Sequence, residues 1–134
     1  MNPPDPRLGL TVTHRRYVPY AHAHYGGDLV DGAYTLGLFG DVATEVAIRM
    51  DGDEGLLAGY SQVSFLGPVQ AGDVLEATVE VVRVGRRSRE LRCSARVVAR
   101  AEPERGPSAA RVVEPPLTVV EAVATLVVPA ASAG

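Results

Sequence analysis

Asp31, Tyr34, Leu38, Asp41 and Glu45 follow one another at helical steps of three and four, so three carboxylates and a phenol fall on one stripe. A stripe like that either faces water or does chemistry. Just upstream, Gly26-Gly27 lets the chain turn so that free amides at the helix start point at a bound oxygen. Oriented amides beside acid groups can bind and activate a thioester.

The helix that carries this stripe is expected over Asp31–Met50, with Asp31 as N-cap and Asp51-Gly52-Asp53 as the stop. A second face is lined by Ala33, Leu36, Gly37, Gly40, Ala43 and Ala47, and a third by Phe39, Val42, Val46 and Met50. Water is left one side. Glycine inside a helix costs up to ~1 kcal/mol relative to alanine, so Gly37 and Gly40 predict that another backbone approaches closely. A helix wrapped by a sheet follows.

Nearly everything else reads as strand. Leu8–Val18 precedes the helix, and Leu56–Phe65, Val74–Val84, Arg89–Arg100 and Leu117–Val128 follow it, separated by Gly- and Pro-containing turns. Ala101–Pro116, rich in Pro, Glu and Arg, reads as a long surface loop. Alternation along the central hairpin sets Glu80 opposite Arg92, Thr78 opposite Ser94 and Glu76 opposite Arg96, which leaves Gly85, Arg86 and Arg87 as its loop. The pattern is α+β: one long central helix wrapped by a curved antiparallel sheet of about five strands.

Size and composition set the remaining bounds. The chain has 134 residues and is expected to form one domain over residues 1–134, with Met1–Arg7 as a frayed arm and Pro129–Gly134 as a short tail. Thirteen basic and 16 acidic residues give a net charge of −3, which disfavours nucleic-acid binding through a general basic face. Every basic residue is arginine, so Schiff-base lysine chemistry is excluded. The lone Cys93 falls on an apolar strand face and reads as a small buried hydrophobe in a reducing, cytoplasmic setting. No apolar run reaches signal-peptide or membrane-span length, so neither secretion nor a membrane partner is expected. His22 and His24 lack the further ligands of a metal site.

The order strand, long helix, four strands resembles the hotdog fold of acyl-CoA thioesterases and hydratases. More closely, the chain is similar to the ammonia-lyases that act on 3-aminobutyryl-CoA and β-alanyl-CoA. The matching residues are HYGGDLVDGA (24–33), LFGDVATE (38–45), MDGDEGL (50–56), Gly59-Tyr60, FLGPVQAGD (65–73), Val84-Gly85, Ser88-Arg89 and EPP (114–116), spread over most of Ala21–Val128. General thioesterases share the glycine pair and the helix, but not GDVATE followed by DGDEGL. The chain departs from the family pattern at Glu121, where a basic residue is usual, and in its short tail.

The resemblance implies reversible loss of ammonia from a 3-aminoacyl-CoA to give an enoyl-CoA, with no cofactor beyond the substrate's CoA. It also implies a homodimer or a hexamer built as a trimer of dimers. The α-proton is acidic only if the thioester carbonyl is polarised, so the reaction needs oriented N–H donors and a base. Asp41 and Glu45 are the candidates for base and ammonium holder, in either assignment, against a solvated face with Glu45 paired to Arg49. Tyr60, on the strand face expected to carry Gln62 and Ser64, is a candidate donor to the thioester or amine, and His24 for proton transfer, each against a structural role.

The expected substrate-binding set is Tyr25, Gly26, Gly27, Asp31 and Glu121, although Asp31 also suits a cap and Glu121 a rim position. Gly85, Arg86, Arg87, Ser88 and Arg89 form the candidate CoA-binding hairpin, because arginine's fixed fork suits phosphate; a solvated hairpin tip is the bland alternative. An acyl-CoA thioesterase and a non-catalytic acyl-CoA-binding module are the competing functions.

Overall fold

The computed structural model describes residues 3–132, so the ends of the expected arm and tail (Met1, Asn2, Ala133 and Gly134) lie outside the described residues. Eight strands and one long helix follow one another: β1 (Thr11–Tyr17), β2 (Ala23–Tyr25), β3 (Leu29–Val30), α1 (Gly32–Asp51), β4 (Leu56–Phe65), β5 (Val69–Gln70), β6 (Val74–Val84), β7 (Ser88–Ala101) and β8 (Ala110–Val127). Five of the strands form one antiparallel sheet in the order β1-β6-β7-β8-β4. The helix lies against this sheet, mainly on β6 and β1. Its buried side chains Phe39, Val42 and Val46 meet an inner sheet face made by Leu75, Val79, Leu91 and Val97, all withdrawn from water. Apolar burial on this scale is the main stabilising term.

Local sequence sets the helix ends. The Asp31 side chain accepts a hydrogen bond from the Tyr34 backbone N–H at 3.0 Å, so Asp31 is the N-cap. At the other end Gly52 takes the left-handed conformation, φ 67°, which glycine adopts without a Cβ penalty. The expected register of the β6–β7 hairpin is the one found: Glu80 opposite Arg92, Thr78 opposite Ser94, Glu76 opposite Arg96.

Four expectations need correction. Ala101–Pro116 is not one long loop, because β8 starts at Ala110 and its first residues pair with the end of β7, Ala110 with Ala101 and Val112 with Ala99. Pro115 and Pro116 fall between Val112 and Leu117, where the register shifts and a ladder donor is not required. A second, three-stranded sheet, β2-β3-β5, was not foreseen, since strands of two or three residues carry no periodicity. Gly37 faces open space, with nothing within 4 Å of where its Cβ would be, so no backbone crosses it within the protomer.

The fourth correction concerns the arm, which is tied down at Arg7. Its guanidinium bonds Asp5 and, at 2.8 Å, Asp51 at the helix end. The Asp51 side chain is itself buried and is gripped on both oxygens by the fully buried Arg89, at 3.0 Å each. Among the described residues, no helix is long and apolar enough to cross a membrane.

Candidate active site

The exposed side of α1 carries a groove of about 450 Å³. Ala33 and Gly37 make a floor one turn apart, Leu38 and Tyr34 flank it, and Arg16, Pro19 and His22 close the far wall. Asp41 stands at its end, 63 % exposed, with one carboxylate oxygen 3.5 Å from the Arg16 guanidinium. Small floor residues leave room for a ligand along the helix, and the carboxylate at its end is open to a reacting atom. The helix start, with its Tyr34 amide already taken by the Asp31 cap and the two amides before it lacking an i−4 partner in the helix, lies at the other end.

One turn further on, Glu45 is already engaged. Nε2 of His14 lies 2.8 Å from one of its oxygens, and Nε of Arg49 donates to the other at 2.8 Å. The His14 contact, then the Arg49 one, hold the Glu45 carboxyl below its usual range. A carboxylate held this way is a weak base, although it remains a fixed negative charge. Tyr60 is turned inward and donates its hydroxyl to the Leu36 carbonyl at 2.5 Å, close to Gly40. Burial pushes its phenol up to about 12, with Asp41 adding a smaller push in the same direction.

Tyr60 therefore does not share a face with Gln62 and Ser64. The β4–β8 register shifts between Ser61 and Ser64, and Gln62 sits there at φ 52°, which breaks the expected alternation. Gln62 and Ser64 instead line a hollow of about 360 Å³ with Arg92 and Glu121. Glu121 is opposite Ser94 and Ser64 on the sheet face turned away from α1, so this protomer does not bring it to Asp41.

The glycine pair does not stand at the helix start. Gly26 and Gly27 form a separate exposed turn, Gly27 at φ 72°, and β3 intervenes before the helix begins at Gly32. They shape the connection, and the helix-start amides belong to the Gly32 turn. His24 packs its ring edge-on against Tyr25 at 4.7 Å, whereas His22 packs on Tyr34 and lines the groove. Tyr25 and Asp31 border a different pocket, of about 290 Å³, beside the helix start. Among the described residues, no group of three or more His, Cys, Asp or Glu is arranged to hold a metal.

At the hairpin, the candidate CoA set divides. Arg89 is fully buried; besides Asp51 it bonds the Gly85 and Ser88 carbonyls at 2.8 and 3.0 Å, so it cannot reach a phosphate in solvent. The sequence shows a run of arginines but not that one residue of a twisted hairpin points inward. Gly85 closes the turn on Ser88, where a Cβ would come within 2.7 Å of the Ser88 hydroxyl. Arg86 and Arg87 remain exposed, with Arg87 also donating to the Val128 carbonyl at 3.1 Å.

Sequence reasoning passed over His14 and Arg16, and weighed His22 only as a metal ligand. Two of these had a usable signal. Val12, His14 and Arg16 alternate along β1, so a buried Val12 places the other two on the face turned toward α1.

A single helix laid on a five-stranded antiparallel sheet, with a groove at the helix start, is the hotdog class. A model of the thioesterase superfamily matches residues 28–105. The chain is 49 % identical over 107 residues to a 3-aminobutyryl-CoA ammonia lyase of Acetoanaerobium sticklandii, covering 80 % of this chain and 85 % of that protein. It superposes with a TM-score of 0.88 on β-alanyl-CoA:ammonia lyase from Clostridium propionicum, at 32 % identity over 93 % of this chain and 89 % of that one. A hexameric hotdog-fold thioesterase of Campylobacter jejuni shares the fold, with a TM-score of 0.69 at 18 % identity over 89 % of this chain and 84 % of that one. The chain belongs to the thioesterase superfamily, in the branch that holds these CoA-thioester ammonia lyases.

Proposed function

We propose that the protein catalyses the reversible elimination of ammonia from a 3-aminoacyl-CoA, such as 3-aminobutyryl-CoA, to an enoyl-CoA such as crotonyl-CoA. The observation that carries this reading is the open Asp41 carboxylate at the end of a small-residue groove leading from the helix start. The relatives named for this reaction support it. The thioester lies over Ala33 and Gly37, its oxygen toward the helix-start amides, which stabilise the negative charge that develops when C2 loses its proton. Asp41 is the base. Glu45, whose oxygens are taken up by His14 and Arg49, supplies a fixed negative charge that favours the departing ammonium.

Arg86 and Arg87 are the groups of the hairpin able to meet the nucleotide phosphates. The reaction uses no cofactor beyond CoA itself, and a cytoplasmic setting suits the lone thiol of Cys93. We also assign the working form to a homo-oligomer, a dimer or a trimer of dimers. β4 is an edge strand paired only with β8, and Leu56, Phe65 and Leu66 on and beside it are exposed.

Incubation with crotonyl-CoA and ammonium tests the reading. Loss of enoyl absorbance without free thiol is the expected result. Thiol release would sink it in favour of a thioesterase, and CoA binding with neither change would leave a binding module. Asp41→Asn is expected to lower kcat by about 10²-fold or more while CoA still binds.

A further inference from the structure

Three glycines sit in α1, and they are not alike. A Cβ on Gly32 would collide with the Phe65 ring at 2.7 Å, and one on Gly40 would meet the Tyr60 hydroxyl at 3.9 Å, an ordinary contact. Gly37 is exposed in the helix interior, with nothing within 4 Å of where its Cβ would be, and it lines the groove that ends at Asp41. Nothing in the protomer requires a glycine there. Glycine is nevertheless the poorest helix former after proline, so alanine would give a more stable helix. A glycine that lowers stability without a packing reason marks a point where something outside the chain comes up against bare backbone.

The groove floor descends at this point. Ala33, one turn earlier, still presents a methyl group, whereas Gly37 presents backbone alone. Helical side chains lean toward the N-terminus, so Asp41, four residues on, stands on the same face over the turn that Gly37 opens. The space above Gly37 stays clear even so, which leaves a gap between the helix backbone and the carboxylate.

We propose that Gly37 is the seat of the substrate's thioester: the carbonyl carbon rests on the helix backbone there, at the depth that brings C2 to Asp41. This deepens the lyase reading above and rests on it. A methyl group at this position lifts the thioester off the floor, and a displacement of about 1 Å is enough to lower a rate by about 10²-fold. With the carbonyl carbon at Gly37 and C2 at Asp41, the sulfur falls over Ala33. Free CoA ends at that sulfur and does not reach Gly37.

Gly37→Ala and Gly40→Ala, compared with wild type, test the assignment. Both variants are expected to melt about 3 °C higher. Gly40→Ala should aminate crotonyl-CoA as wild type does, whereas Gly37→Ala should lose about tenfold or more in kcat/KM. Its affinity for butyryl-CoA, a saturated thioester that cannot be aminated, should fall about tenfold while free CoA binds as before. Wild-type kcat/KM and wild-type butyryl-CoA affinity in Gly37→Ala overturn the assignment. Equal loss of activity in both variants also overturns it, because the effect would then be one of helix stiffness. A lower melting temperature with a smaller assembly mass in Gly37→Ala overturns it too, giving the space to a second copy of the chain. A wild type that aminates nothing, with butyryl-CoA binding still weakened in Gly37→Ala, would sink the lyase reading and leave the thioester seat standing.

Discussion

His14 Nε2 and Glu45 Oε1 stand 2.8 Å apart and tie the first strand of the sheet to the middle of the helix. With Arg49 on its other oxygen, Glu45 has a folded-state pKa below its ordinary value. The unfolded chain therefore binds this proton more readily than the folded one, so the contact stabilises at neutral pH and fades as pH falls through the depressed value. Glu45→Gln is expected to melt below wild type at pH 7 and to converge with it in acid. Melting curves from pH 7 down to pH 3 check this; a gap that stays constant would contradict it.

Arg89 is a structural residue, and its substitution should read out as stability. Arg89→Met leaves the buried Asp51 carboxylate without its bidentate partner, at a cost of about 3–5 kcal/mol. Urea unfolding measures it. Arg86→Ala, on the exposed tip of the same hairpin, should leave stability unchanged and weaken CoA binding by up to about fivefold.

Tyr60→Phe separates packing from catalysis. The hydroxyl is spent on the Leu36 carbonyl, so its loss should cost about 1 kcal/mol of stability and leave kcat within about threefold of wild type. Because burial raises the phenol to about 12, no ionisation of Tyr60 should shape the pH–rate profile below pH 10. A hundredfold fall in kcat would return Tyr60 to the catalytic set.

Cys93 is fully buried, and desolvation lifts its thiol to about 12. In native protein at pH 8 it should resist a disulfide exchange reagent for as long as the fold persists, then react once in denaturant. Fast labelling of the native state would show that β7 opens locally.

What could be read from the sequence, and what could not, divides along physical lines. The β6–β7 register was legible because Leu75, Ala77, Val79 and Val81 alternate with charged or hydroxyl residues, and a shift of one residue would expose every one of them. Asp31 was legible as a cap because the cap is a local bond to a residue three positions on. The groove was only half legible. Asp41 lay on the helix stripe, but Arg16 and His22 reach it from β1 and the connection, and no pattern within the helix announces them. Gln62 hid the true direction of Tyr60, since one bulge residue reverses the alternation on which strand reading depends. The inward turn of Arg89 is a tertiary event, decided by an acid 38 residues away.

That acid has a consequence for the order of folding. Asp51 is the last residue of the helix, Arg89 stands near the start of β7 and Arg7 precedes β1, so the bonds that join them close loops of 38 and 44 residues. The first cannot form until the helix end and the hairpin are both in place, nor the second until the arm has docked on the helix end. The cluster therefore acts as a latch rather than a nucleus, slowing the escape from the native state more than it speeds arrival there.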